Sequence, residues 1–515
     1  MLSAVVLLVA VAAIIGVRLL RRGSPQGASG QGPDADPASA AFSDKVNPQH
    51  PCHPGAAGAR TKPGSDETVA GRHDTATQFE AYPSGAAWAD LVVGFDFGTS
   101  CTKVVVQSPF IAGSRAVAVP WCGDRGGDSY LLPTELYRSM HDDLHLHPAR
   151  DSGDAAGGRF SDIKTSLMDR SADERSRAVA AAYLGLVLRR ARRWFLDTQA
   201  DIYERYSLRW AMNLGIPSAG YDDERVRSTF GLVARAAWEL SLSSEAPTIE
   251  TAARACHSAE ARGATDSETP IDVVPEIVAE VVGYARSKRR QSGLHVVVDV
   301  GASTLDICGF NLYSPEGEDR YSLLTALVER LGLHALHGQR MEAIPAGVRS
   351  RAPALDPSTP IPVRGSDYVV KPSDALRTNL DAVDDRYALA CTNALMRVLM
   401  DLRQPRSPYA EAWKTGLPLF LAGGGRDFEG VHRAMRCAHD RLTKYTTTLG
   451  ILPRAIPKPE TLVNEDAPDG RLDVAYGLSF DRFDIGEIHR PAEIPDVENP
   501  RRPMDWPDTS KDALQ

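Results

Sequence analysis

At 515 residues, with 43% hydrophobic residues and a formal net charge of −9, the chain has room for two or three ordinary domains or one large two-part unit with tails. That charge provides no overall attraction to nucleic acid or anionic lipid, so no nucleic-acid partner is expected. Seven cysteines are scattered without a CxxC pair, which argues against a zinc ribbon or a disulfide scaffold and fits a reducing compartment.

The opening stretch, MLSAVVLLVAVAAIIGV, is almost wholly apolar and is followed by RLLRR. As a helix it spans about 25 Å, enough for a thin bilayer. No basic residue precedes it and no small-residue cleavage site follows, which favours an uncleaved anchor over a signal peptide. Arg18, Arg21 and Arg22 after the run hold the bulk of the chain in the cytoplasm. Residues 1–22 are therefore expected to be a single-pass anchor in the inner membrane. Residues 23–88 are rich in Gly, Ala, Pro, Ser and Asp and read as a disordered tether of roughly 40–50 Å r.m.s. reach.

Residues 89–480 alternate strand-like and helix-like patterns, an α/β body. LVVGFDF and KVVVQ suggest a hairpin. SADERSRAVAAAYLGLVLRRARRWFLD reads as a helix opened by a capping box of Ser171 and Glu174, with Val179, Ala182, Tyr183, Leu186 and Val187 on its apolar face. RWAMNLGIP reads as a strand, DDERVRSTFGLVARAAWEL and PEIVAEVVGYAR as helices, LHVVVDVG and LPLFLAGGG as strands, and DFEGVHRAMRCAHDRL as a closing helix. Residues 481–515 are polar and Pro-rich and are expected to be a disordered or partner-bound tail.

Three turns carry chemistry. In FDFGTSCTK an apolar strand ends at Asp96, and Gly98, Thr99 and Ser100 follow in a turn whose backbone N–H groups suit phosphate oxygens. A carboxylate beside such a turn makes sense if it holds Mg²⁺ through waters. VVVDVGASTLD repeats the device with Asp299, Gly301, Ala302, Ser303, Thr304 and Asp306. LAGGGRDF places Gly423, Gly424 and Gly425 between a strand and a helix, letting backbone approach a base and sugar.

In order and spacing these turns resemble the actin and DnaK-type heat-shock ATPase superfamily, the DnaK-like branch above all. FDFGTSCTKVVV resembles its first phosphate motif, VDVGASTLDICGF its second and LAGGG its adenosine motif. YLLPTELY, MNLGIPSAGYDDERVRSTFGLVARAAW, VPEIVAEVVGYA and ERLGLHAL are similar to intervening segments and VAYGLSF to the closing helix, so the resemblance covers about 91–480. It implies a bilobal actin-like fold, two ribonuclease-H-like lobes around a nucleotide cleft. ATP or ADP with Mg²⁺ would be the cofactors. Asp96 and Asp299 would surround the hydrated metal. Gly98, Thr99, Ser100, Cys101, Thr102, Gly301, Ala302, Ser303, Thr304, Gly332, Gly423, Gly424, Gly425 and Arg426 would contact the nucleotide. Lys164 in FSDIKTSLM would reach the γ-phosphate and Glu276 would orient the attacking water, with Asp299 completing the catalytic set. Ala302 and Ser303 replace glycines common in the second motif, and Arg426 is one step out of register with the family's base-contacting arginine. The peptide-binding module of DnaK-type chaperones is not expected in the 35 residues after Phe480.

The expected function is slow ATP hydrolysis that switches lobe closure and the binding of an unidentified protein partner or client. The competing readings are a non-hydrolysing nucleotide-dependent scaffold or sensor, and an actin-like filament protein that self-associates. A sugar or acetate kinase on the same fold is weaker, since no second-substrate pocket can be read. Other motifs have plainer explanations. HDDLHLH, 141–147, reads as a solvated loop rather than a metal site. LRRARRW, 188–194, reads as an exposed basic helix face, and SKRRQSG as a solvated turn. Lys164 also reads as a surface lysine, and Glu276 as an acid favoured by a helix N-terminus.

Overall fold

Each apolar run that ends in an aspartate founds a sheet. The structure, a computed structural model, describes residues 87–109, 115–121, 129–148, 158–169, 173–263, 270–348, 361–445, 448–459, 461–463 and 470–497, all in one unit, Glu67–Gln515. The expected anchor and all but the end of the expected tether lie outside the described residues. Among the described residues no helix is long and apolar enough to cross a membrane.

The first sheet begins with β1 (Trp88–Phe97), β2 (Cys101–Gln107), β3 (Val117–Ala118) and β4 (Leu132–Pro133). A small separate sheet of β5 (Leu136–Arg138), β6 (Leu144–His145) and β7 (Arg159–Phe160) follows. Helices α1 (Ile163–Met168), α2 (Glu174–Thr198) and α3 (Ala200–Tyr203) lead to β8 (Ser207–Ile216). Then come α4 (Ser218–Asp222), α5 (Glu224–Leu242), α6 (Ile249–Arg262), β9 (Ile271–Pro275) and α7 (Glu276–Ala285). The sheet order is β3-β2-β1-β8-β9, with β4 also on β2. β2 is antiparallel to β1 and β3, whereas β1, β8 and β9 are parallel.

The second sheet comprises β10 (Gly293–Val300), β11 (Leu305–Tyr313), β12 (Arg320–Glu329), β13 (Leu417–Ala422), β14 (Ile451–Arg454) and β15 (Glu487–His489). Its helices are α8 (Leu333–Ala343), α9 (Asp374–Asp401), α10 (Ala412–Thr415), α11 (Glu429–Tyr445), α12 (Asp473–Leu478) and α13 (Arg482–Ile485). The order is β14-β13-β10-β11-β12-β15. Its first three strands are antiparallel neighbours and its fourth and fifth run parallel to the first, as in the first sheet. The protein is thus mixed α/β, with two mixed sheets that share one five-strand pattern.

Burial explains the layering. Apolar residues of α2, α5 and α6 cover one face of the first sheet. Those of α9 and α11 cover one face of the second. Helices α7 and α12 form a single buried cluster with residues of both sheets. They cross closely at Gly477, where a Cβ would fall 1.9 Å from the Ala279 carbonyl oxygen.

Three expectations change. Ser171 lies outside the described residues, and the α2 cap is Asp173, whose side chain accepts from the Ser176 amide at 2.7 Å. An aspartate directly before the first turn is an equally good cap and sets the start two residues beyond the expected one. The basic stretch on α2 is not simply a solvated face. Arg192 is buried, donates to Ser241 Oγ at 3.0 Å and lies over the rings of Trp210 and Trp238. Arg189 and Arg190 donate to the carbonyls of Leu240 and Trp121. The fold also runs past Phe480. β15 pairs in parallel with β12, and Arg320 Nε meets Glu487 Oε2 at 2.6 Å. A mostly polar strand suffices there because backbone pairing and one arginine hold it and Ile488 packs against the buried core. Residues 498–515 of the expected tail lie outside the described residues.

Candidate functional site

The β1–β2 hairpin sets Asp96 directly opposite Lys103, and Lys103 Nζ donates to Asp96 Oδ2 at 2.7 Å. Side chains alternate along a strand. Cys101 and Lys103 therefore share the face that lines a cavity of about 350 Å³, together with Asp96, Gly98, Thr99 and Ser100. Thr102 takes the other face. It is fully buried and sits in a hydroxyl chain, Tyr183 to Thr102 at 2.9 Å, Thr102 to Thr134 at 3.2 Å, and Thr134 to the Gly98 carbonyl at 2.7 Å. Thr102 thus braces the turn from behind. A Cβ at Gly98 would fall 2.3 Å from the Cys101 carbonyl oxygen, so this turn closes only around glycine.

The β10–β11 hairpin repeats the geometry with a different pair. Asp299 stands opposite Asp306. Asp299, Gly301, Ala302, Thr304 and Asp306 line the same cavity. Ser303 does not appear on its wall; its carbonyl accepts from the Gly332 amide at 3.2 Å. The amides of Leu333 and His334 bind the carbonyls of Gly301 and Ala302 at 3.1 and 2.8 Å. Gly332 therefore clamps the start of α8 onto the back of the turn rather than lining the cavity.

Behind β13, Gly423, Gly424 and Gly425 all reach the wall. Gly423 has φ +77°, and a Cβ on it would fall 2.0 Å from Asp299 Oδ1, so glycine alone leaves that carboxylate its place. Arg426 is not on the wall; its Nε lies 3.5 Å from Asp427 Oδ2, and its guanidinium occupies the space beside Gly470. Arg471 takes the position over Gly424 and does line the cavity.

Lys164 on α1 and Glu276, the first residue of α7, come together across 112 positions of sequence. Nζ donates to Oε1 at 2.6 Å, and both side chains are buried. Burial opposes the ammonium charge, but Glu276 beside it leaves Lys164 above its ordinary value. The plain surface reading of Lys164 therefore does not hold.

Sequence reasoning missed Lys103, Glu280 and Arg471 and gave Asp306 no role. The two lysines engage Asp96 and Glu276. Asp299 Oδ1, Asp306 Oδ1 and Glu280 Oε2 are buried without a hydrogen-bond partner. Burial, then Asp299 and Glu276, pushes the Asp306 carboxyl up to about 8. Burial, then Asp299, Asp473 and Asp96, raises Glu280 well above the usual carboxylate range, and burial also raises Asp299. Buried polar atoms are nearly always satisfied, so three such oxygens in one cavity fit a hydrated divalent cation. As placed, no group of three or more His, Cys, Asp or Glu side chains among the described residues could hold a metal ion. The fit is to one or two carboxylates, with water completing the shell. His141–His147 forms a largely exposed turn and strand and enters no such group.

The cavity can therefore present small-residue turns and lysines to anionic oxygens beside carboxylates suited to a hard cation. Compared with known proteins, the chain matches no family model and no curated sequence.

Proposed function

We propose that the chain is a membrane-tethered, cytoplasmic ATPase of DnaK-like or actin-like type, which binds MgATP between two ribonuclease-H-like lobes and hydrolyses it slowly to switch partner binding. One observation carries the reading: both aspartate-ended hairpins and the triglycine turn converge on a single cavity, from two sheets of like strand order. In this reading the turns at Gly98–Cys101 and Gly301–Thr304 hold phosphate oxygens from two sides. Lys103 and Lys164 supply positive charge, and Glu276 orients water for in-line attack. Mg²⁺ would be held by Asp96 and Asp299 through waters and would neutralise phosphate charge. Phosphoryl transfer needs such positioning and neutralisation more than covalent help. The apolar segment 1–22 is the proposed anchor.

A second reading, a non-hydrolysing nucleotide sensor, is favoured by the 2.6 Å contact that occupies both Lys164 and Glu276 with each other. Calorimetry on the detergent-solubilised full-length chain tests the shared premise. MgATP should bind and chelation of Mg²⁺ should weaken it; no binding at millimolar ATP overturns both readings. Single-turnover hydrolysis then separates them. Glu276→Gln should slow turnover at least about tenfold, roughly 1.4 kcal/mol of barrier, with little change in ATP affinity. Absence of turnover in the unmodified chain selects the sensor.

A further inference from the structure

Glu280 is a charged residue in the apolar helix PEIVAEVVGYA, one turn beyond Glu276 and on the same face. It is 2% exposed, lines the cavity and leaves Oε2 without a hydrogen-bond partner. An isolated buried carboxylate costs several kcal/mol unless something compensates it. Neither lysine of the cavity is ion-paired with it, because Lys103 holds Asp96 and Lys164 holds Glu276. Arg471 lies over Gly424. The charged groups that act most strongly on Glu280 are Asp299, Asp473 and Asp96, with Lys103 opposing them. Asp299 presents the matching feature, an unpartnered buried Oδ1 in the same cavity.

We propose that Glu280 and Asp299 together ligate a divalent cation directly, in the nucleotide-free protein, with water completing its shell. Two carboxylate oxygens and water are the donor set of Mg²⁺ or Mn²⁺ rather than of a thiolate- or imidazole-seeking metal. This deepens the ATPase reading, on which it rests for the cavity's role, and differs from a metal that arrives with the nucleotide and touches protein only through water. The ion offsets the acid excess of the cavity before a polyphosphate enters.

The test is titration of Mn²⁺ into nucleotide-free, full-length protein, with free Mn²⁺ read by electron paramagnetic resonance. One Mn²⁺ per chain should bind, Mg²⁺ should displace it, and Glu280→Gln should weaken it by at least about tenfold. Asp299→Asn provides the same readout if Glu280→Gln does not fold, as judged by circular dichroism. No Mn²⁺ bound to the unmodified protein at millimolar metal overturns the site, as does undiminished binding in a folded Glu280→Gln or Asp299→Asn variant. Protein that binds Mn²⁺ in this way but no ATP retains the site and loses the ATPase reading. Protein that binds MgATP but no Mn²⁺ alone retains the ATPase reading and loses the site.

Discussion

The two hairpins share one register and differ in charge. In each, an aspartate one residue before the end of the first strand faces the residue seven positions on. In β1–β2 that residue is Lys103, and the pair is closed at 2.7 Å. In β10–β11 it is Asp306, and both carboxylates keep an oxygen without a hydrogen bond. The difference teaches that one fold element can supply either a finished ion pair or an unmet demand for positive charge. The second hairpin is where the cavity asks for something from outside.

The largest expected effect breaks the closed pair. Lys103→Met leaves Asp96 buried without its cation and should cost about 3 kcal/mol, measured as a shift in the urea midpoint at constant slope. A loss below about 1 kcal/mol would mean that the first hairpin is no more self-sufficient than the second.

Next come the turns. A Cβ at Gly98 meets the Cys101 carbonyl oxygen at 2.3 Å, whereas one at Gly301 meets the Thr304 carbonyl oxygen at 3.2 Å. Gly98→Ala should therefore cost about 2 kcal/mol and Gly301→Ala less than about 1 kcal/mol. Equal losses in urea unfolding would show that the turns are equally tight.

An effect that is small per pH unit but accumulates with pH sharpens the charge contrast. Asp306 is lifted from 3.8 to about 8, so between these values the folded state holds a proton that the unfolded state has released. Its stabilising contribution is full below pH 3.8 and is lost as pH rises through 8. In chelator and without nucleotide, Asp306→Asn should gain stability relative to the unmodified chain across this window, by at most about 1.4 kcal/mol per pH unit. A difference that does not change from pH 5 to 8 would remove Asp306 as the source.

Much of this was legible because it is written in short-range pattern. An apolar run ending in an acid, then small residues, marked Asp96 and Asp299, and three glycines after a strand marked the third turn. Thr102 adjoins the turn in sequence, but the two-residue period of a strand turns it away from Cys101 and Lys103. Arg426 adjoins the glycines in sequence, but its guanidinium sits beside Gly470, and Arg471 faces the cavity from a segment with no motif of its own. Glu280 carries no signal in sequence because single charges on helices are ordinary; the buried crossing of α7 with α12 makes this one costly. No short-range pattern carries the strand order shared by the two sheets, since it rests on pairings between residues more than a hundred positions apart, such as Val93 with Met212 and Val298 with Leu421; only the resemblance to a two-lobed family points towards it.

The short strand β15 bears on the filament alternative. By pairing with Arg320–Ser322 it occupies a row of backbone donors and acceptors that would otherwise invite strand addition from a neighbouring molecule. A chain stopped at Phe480 would uncap that row beside the buried Tyr321 and Leu323. Sedimentation of so shortened a protein would report a cut made in its own sheet, and assembly is properly measured with the C-terminal segment in place.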